Sequence, residues 1–171
     1  MKAPVSWLRD LVTLPTDVTT KKLAEQFTSV GLTVERIEST ESPVTGPLVV
    51  GRVLSYVDEP QKNGKVIRYC RVDVGDHNDP ATDEHPASRG IVCGAHNFEE
   101  GDLVVVSLPG TVLPGNFEIS ARKTYGHISD GMIVSEVEIG LGEDHDGIIV
   151  LAPGTAEPGT PAQDLLWSAD E

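Results

Sequence analysis

The apolar residues of this chain change their spacing twice. Near the start they recur every three or four positions. "VSWLRDLV" (residues 5–12) sets Trp7, Leu8, Leu11 and Val12 on one side of a short helix, and "TTKKLAEQFTSVGL" (19–32) repeats Leu23, Phe27 and Val30 at helical spacing. Thr19 or Thr20 can cap that second helix, and Gly31 can end it in the left-handed conformation. "LTVERI" (32–37) alternates enough for a short strand, and "STESPVTGP" (39–47) reads as linker.

From Leu48 the period becomes two. "LVVGRVLSYV" (48–57), "VIRYCRVDVG" (66–75), "IVCGA" (91–95), "LVVVSLPG" (103–110) and "GMIVSEVEIG" (131–140) read as strands. "TVLPGNFEIS" (111–120) is a turn with a short strand, and Ile148, Ile149 and Val150 close the series. Between them, "HNDPATDEHPASRG" (77–90) is hydrophilic loop and "HNFEEGD" (96–102) one helical turn with Asn97 at its cap. Five or six short strands with Gly/Pro turns imply a small barrel or sandwich. In "GTPAQDLLWSADE" (159–171) helical spacing returns, with Thr160 as cap, Pro161 as first helical residue and Leu165, Leu166 and Trp167 as an apolar cluster.

The expected architecture is therefore mainly β with flanking helices. A barrel, residues 44–157, is inserted into a small, incomplete α+β domain made of residues 1–43 and the return helix 158–171. Trp7 and Trp167 each lie in a cluster too small to bury itself, so they are expected to share a core.

Composition narrows the function. The formal net charge is −14, which argues against bulk electrostatic binding to nucleic acid or an anionic membrane. The charge is uneven. Residues 143–171 hold seven acidic groups and no basic one, whereas Arg52, Lys62, Lys65, Arg68 and Arg71 cluster in one stretch. Cationic and aromatic groups on a barrel strand suit a nucleic-acid surface, and an ordinary solvent face is the plain alternative. Cys70 and Cys93 sit in valine-rich runs and read as small hydrophobes, buried, reduced and metal-free. The opening "MKAPVSWLRDLV" carries Arg9 and Asp10 where a signal peptide would be apolar, and no run approaches a membrane span, so a cytoplasmic protein without membrane contact is expected.

Catalytic patterns are thin. Ser129 and Ser135 lack the Gly-x-Ser-x-Gly context of a hydrolase nucleophile. Cys93 with His96, or His145 with Asp144 and Asp146, lacks the second close ligand pair zinc requires. Phosphate-loop and dinucleotide fingerprints are absent from the sequence.

Three stretches taken together carry a resemblance: "IVCGAHN" (91–97), "GTVLPGNFEISARKTYGHISDGM" (110–132) and "MIVSE" (132–136). They resemble the tRNA-binding barrel near the start of bacterial phenylalanyl-tRNA synthetase beta subunits, and the flanks "SWLRDLV", "LAEQFTSVGLTVE" and "EDHDGIIVL" are similar too. The resemblance implies a five-stranded OB-type barrel. It assigns Cys93, Gly94, Asn97, Gly131 and Met132 to the structural motif, and Gly126–Met132 to a structural turn. It makes Arg52, Lys65, Arg68, Arg71, Arg122, Lys123, Ser129 and Ser135 candidates for tRNA contact, with Arg68, Arg71, Arg122 and Lys123 expected on one barrel side. It implies an enzyme that charges tRNA with phenylalanine in an assembly of two alpha and two beta subunits, using ATP and Mg2+. Those cofactors act elsewhere, and no catalytic site or cofactor is expected within these residues. The family's His-Pro-x-Ala-Asp-Lys-Leu run is replaced here by "EPQKNGKVIR" (59–68), and the loop 76–90 is longer than usual. Two readings stay open: an auxiliary tRNA-binding module, and a module that packs within or between synthetase subunits with little RNA contact.

Overall fold

The computed structural model describes residues 3–15, 18–37 and 42–167. They fall into two compact units, divided between Ser39 and Thr40.

The first unit holds two helices. α1 (Val5–Leu11) has no side-chain cap. α2 (Thr20–Ser29) is capped by Thr19, whose hydroxyl accepts the Lys22 N–H at 3.2 Å. Its end is a Schellman motif: Leu32 N–H reaches Phe27 O, Gly31 N–H reaches Thr28 O, and Gly31 takes φ +93°. Leu23 is buried, but Trp7, Leu11 and Val12 are exposed. The strand expected over 32–37 is absent; the segment has no ladder partner among the described residues, and Leu32 and Ile37 stay exposed. Alternation alone does not make a strand, because each backbone group also needs a partner.

The second unit is built around β1 (Leu48–Pro60), which is long enough to serve two neighbours. Its first residues pair antiparallel with β4 (Leu103–Ser107), and from Arg52 onward it pairs with β2 (Val66–Asp73). An irregularity between Val53 and Ser55 marks where the strand bends. Gly51 sits at the crossover. A side chain there would meet Val72 at 2.7 Å and Val106 at 2.8 Å, so the two flanking strands converge over a bare backbone. β3 (Arg89–Cys93) extends the sheet from β2, and β9 (Met132–Ile133) and β10 (Val150–Leu151) share the far edge of β4. Two hairpins project from this frame: β5 (Val112–Leu113) with β6 (Phe117–Glu118), and β7 (Arg122–Thr124) with β8 (His127–Ser129).

The sheet nearly closes. Asp130 N–H donates to Gly90 O and Val92 N–H to Ser129 Oγ, so the segment after β8 runs along the free edge of β3 before β9 joins β4. The result is the antiparallel OB-type barrel expected from the sequence. Inside it, Val53, Cys70, Val72, Ile91, Phe98, Val104 and Val106 form an apolar core. β4 also buries its other face, through Leu103 and Val105, against Val44, Leu113, Ile119, Val134 and Ile139. Burial on both faces explains why "LVVVS" reads as a continuous apolar run.

Three sequence expectations change at the edges of this frame. Only Met132–Ile133 of 131–140 is strand, because Val134–Ile139 turns back to cover the outer core. Residues 96–102 form a turn with no helix. Thr160 and Pro161 do not start a helix: Thr160 O accepts from Val50 N–H, Pro161 bridges Val49, and Ala162 N–H donates to Leu48 O. The helix α3 covers only Gln163–Leu166, and Ala162, Leu166 and Trp167 pack on the outer core.

Candidate nucleic-acid interface

β2 carries Arg68 and Arg71 three residues apart, which places them on opposite faces of the sheet. Arg68 lies on the face of Cys70 and Val72, at the barrel mouth, and is only 7% exposed. Its guanidinium stacks over Tyr56, 4.0 Å from the ring centroid, and lies 4.9 Å from that of Phe98. Nε donates to Asp58 Oδ1 at 3.0 Å and Nη1 donates to the Phe98 carbonyl. Tyr56 in turn donates to Glu99 at 2.6 Å, and that hydrogen bond holds its hydroxyl above the ordinary phenol range. Arg68 therefore plugs the barrel mouth, held there by its Nε and Nη1 bonds and by the Tyr56 ring. The expectation that Arg68 and Arg71 share one barrel side therefore fails, because an odd spacing on a strand sends them to opposite faces, and Tyr56 and Phe98 close over Arg68.

Arg71 faces outward but is tethered. Nε donates to Ser88 Oγ at 3.0 Å, and Nη2 donates to Ser88 O at 3.0 Å and lies 3.1 Å from His85 Nδ1. It thus pins the loop 76–90 to the sheet. Gly90, opposite Arg71 in β3, leaves room for this arrangement: a side chain there would fall 2.3 Å from the Tyr69 hydroxyl. Arg89 is held in the same way, paired with Asp130 and donating to His77 O at 2.6 Å. Arg52 is half-buried on β1, opposite Asp73.

The exposed cations of the second unit lie elsewhere. Lys62 and Lys65 occupy the β1–β2 turn, and Arg122 and Lys123 lie on β7. One side chain joins these two places. His127 of β8 stacks flat on Tyr69, with centroids 3.9 Å apart, and its Nε2 is 2.9 Å from Glu59, next to the β1–β2 tip. The β7–β8 hairpin is thereby laid against the outer face of the β1–β2 hairpin. Arg122 extends over Phe117 of the other hairpin, 5.5 Å from its centroid. Phe117, Tyr125 and Ile128 are exposed around these cations. Sequence reasoning found the cations but missed Phe117 and Tyr125, which it left in turns, and it gave His127 no part in this surface.

The serines and the motif residues serve the frame. Ser129 Oγ accepts from Val92 N–H at 3.0 Å and donates to Gly131 O at 3.1 Å, which stitches the barrel seam. Gly131 takes φ +136°, and a Cβ there would sit 3.0 Å from Ser107 O. Met132 O accepts from Ser107 Oγ. Ser135 bonds Glu138 through both N–H and hydroxyl. The Asn97 amide pairs with the backbone of Ile148 in both directions, at 2.9 and 3.0 Å, and so ties a distant loop to the end of β3. Cys93 and Gly94 line one open cleft with Met132, Ser135 and His145. Burial pushes the Cys93 thiol up, and the Cys70 thiol up to about 12. Both cysteines are free. No three His, Cys, Asp or Glu side chains among the described residues are placed to hold a metal ion.

Comparison with known proteins agrees with this architecture. Residues 48–161 match the family model described as "Putative tRNA binding domain". The phenylalanine–tRNA ligase beta subunit of Thermobifida fusca is 58% identical over 166 residues, covering 97% of this chain and 19% of that protein. That of Cutibacterium acnes is 50% identical over 182 residues, covering all of this chain and 22% of the relative. The chain thus spans about a fifth of the length of these relatives. With its nearly closed barrel and its match over 48–161, the chain belongs to the tRNA binding domain family, in the form carried by phenylalanine–tRNA ligase beta subunits.

Proposed function

We propose that this chain works as an auxiliary tRNA-binding module within a phenylalanine–tRNA ligase, with contacts through Lys62, Lys65, Arg122 and Lys123. The observation that carries this reading is the His127 bridge. It ties the hairpin that carries Arg122 and Lys123 to Tyr69 and to Glu59, which precedes the turn that carries Lys62 and Lys65, on a chain of net charge −14. Arg68, Arg71 and Arg89 then support the surface from beneath, since each is tied to protein partners. In this reading the parent enzyme joins phenylalanine to tRNA with ATP and Mg2+ at sites outside these residues, in an assembly of two alpha and two beta subunits in the cytoplasm.

A salt titration of tRNA binding tests it. Each phosphate contact contributes roughly 0.7–0.9 to the slope of log affinity against log salt, so four contacts give a slope of about 3. The double substitution Arg122→Glu, Lys123→Glu should remove about half of it. An unchanged slope would refute the assignment.

One observation favours the packing reading for the first unit. Trp7, Leu11, Val12 and Leu32 are all more than half exposed there, an apolar surface that a partner subunit or domain would cover.

A further inference from the structure

The tips of the two projecting hairpins use the same rare backbone conformation with different residues. At the β5–β6 tip the positive φ angles fall on Gly115 and Asn116, at +81° and +57°. These residue types tolerate the left-handed region. At the β7–β8 tip they fall on Tyr125 and Gly126, at +50° and +88°. A two-residue turn of this kind favours Asn-Gly, and a bulky aromatic at its first position is strained. Tyr125 is 46% exposed, and among the described residues it has no aromatic or cationic partner. It stands one residue beyond Thr124, at the end of the strand that carries Arg122 and Lys123, and Arg122, whose Nε donates to Ser120 Oγ, sets its guanidinium 5.5 Å from the centroid of the exposed ring of Phe117.

We infer that Tyr125 is a stacking platform for an unpaired nucleotide, with Lys123 and Arg122 holding the flanking phosphates and Phe117 offering a second ring. This deepens the tRNA-binding reading and rests on it. The chemistry selects single-stranded RNA: a ring at a hairpin tip can stack on a splayed base, whereas the bases of a duplex are already stacked on each other. A protein partner covering the same rings is the competing outcome.

The test uses the whole 171-residue chain, with a fluorescent unpaired RNA of about ten nucleotides, the same RNA in duplex, and tRNA. Tyr125→Ala should weaken single-strand binding about 5- to 150-fold, the range for loss of one stacked base, and leave the salt slope unchanged. Tyr125→Phe should bind like the parent chain. Tyr125→Asn should bind weakly while raising the melting temperature, because asparagine suits the turn; this separates lost stacking from lost folding. The duplex should compete poorly. If the parent chain binds neither tRNA nor the oligonucleotide at low salt, the tRNA-binding reading falls and this inference with it. If it binds tRNA but Tyr125→Ala binds as tightly, or the duplex competes equally, this inference alone is overturned and the rings belong to a protein contact.

Discussion

Arg68 shows how a charge that looks functional can belong to the frame. Buried beneath Tyr56, it is fixed by bonds to the half-exposed Asp58 carboxylate and to the carbonyl of buried Phe98. Arg68→Met should cost roughly 2–4 kcal/mol in chemical denaturation, with the salt slope of tRNA binding untouched. Lysine should rescue little, since it lacks the planar fork and stacking face. Asn97 is a similar case: Asn97→Ala breaks both bonds to Ile148 and should cost about 1–2 kcal/mol. The buried thiols set an alkaline limit. Cys70 is raised by burial from 9.0 to about 12 in the folded state, so its contribution is fully present below about pH 9 and is lost as pH rises toward 12. Over that window stability should fall by about 1.4 kcal/mol per pH unit for this thiol, and Cys70→Ala should flatten the pH profile of denaturation in proportion.

At the scale of elements, the β7–β8 hairpin is held at two places: the seam bonds of Ser129 and Asp130, and the His127 contact with Tyr69 and Glu59. His127→Ala removes the second. It should cost about 1 kcal/mol and speed amide exchange in β7 and β8 while leaving β1 and β4 protected. The segment after Pro158 is a further element of the barrel. Three backbone bonds tie residues 159–162 to Leu48 and Val50, and Ala162 is fully buried. Limited proteolysis should leave a resistant piece from about residue 42 to 167. A chain cut at 157 should lose about 3 kcal/mol, near 1 per bond; equal stability of the two pieces would show the return segment to be an appendage.

For the whole molecule the governing quantity is the charge distribution. No lysine or arginine follows Lys123, while Asp130, Glu136, Glu138, Glu143, Asp144 and Asp146 do. In the proposed reading a phosphate backbone would be drawn to the hairpin cations and repelled by the acidic segment that follows Lys123. tRNA bound to this chain alone should have a dissociation constant no tighter than about micromolar at physiological salt, measured by fluorescence anisotropy. Tight binding that persists at high salt would mean a different, non-electrostatic interface.

The sequence by itself determined the local facts: a threonine cap on the second helix, the Gly31 stop, the main barrel strands and the burial of Cys70 and Cys93. Each follows from period, capping or turn chemistry, which act over a few residues. The motif resemblance added the family and the barrel type. Tertiary structure alone decided which cations are free. Arg68 and Lys65 look alike in sequence, but the first meets Tyr56, Asp58 and Phe98 across the barrel mouth and the second meets solvent. It also decided that 32–37 is no strand and that 159–162 pairs with β1, because a strand exists only where a distant backbone edge is left to pair with. The strain at Tyr125 belongs to the same class: it arises from the two-residue turn that the pairing of β7 with β8 imposes.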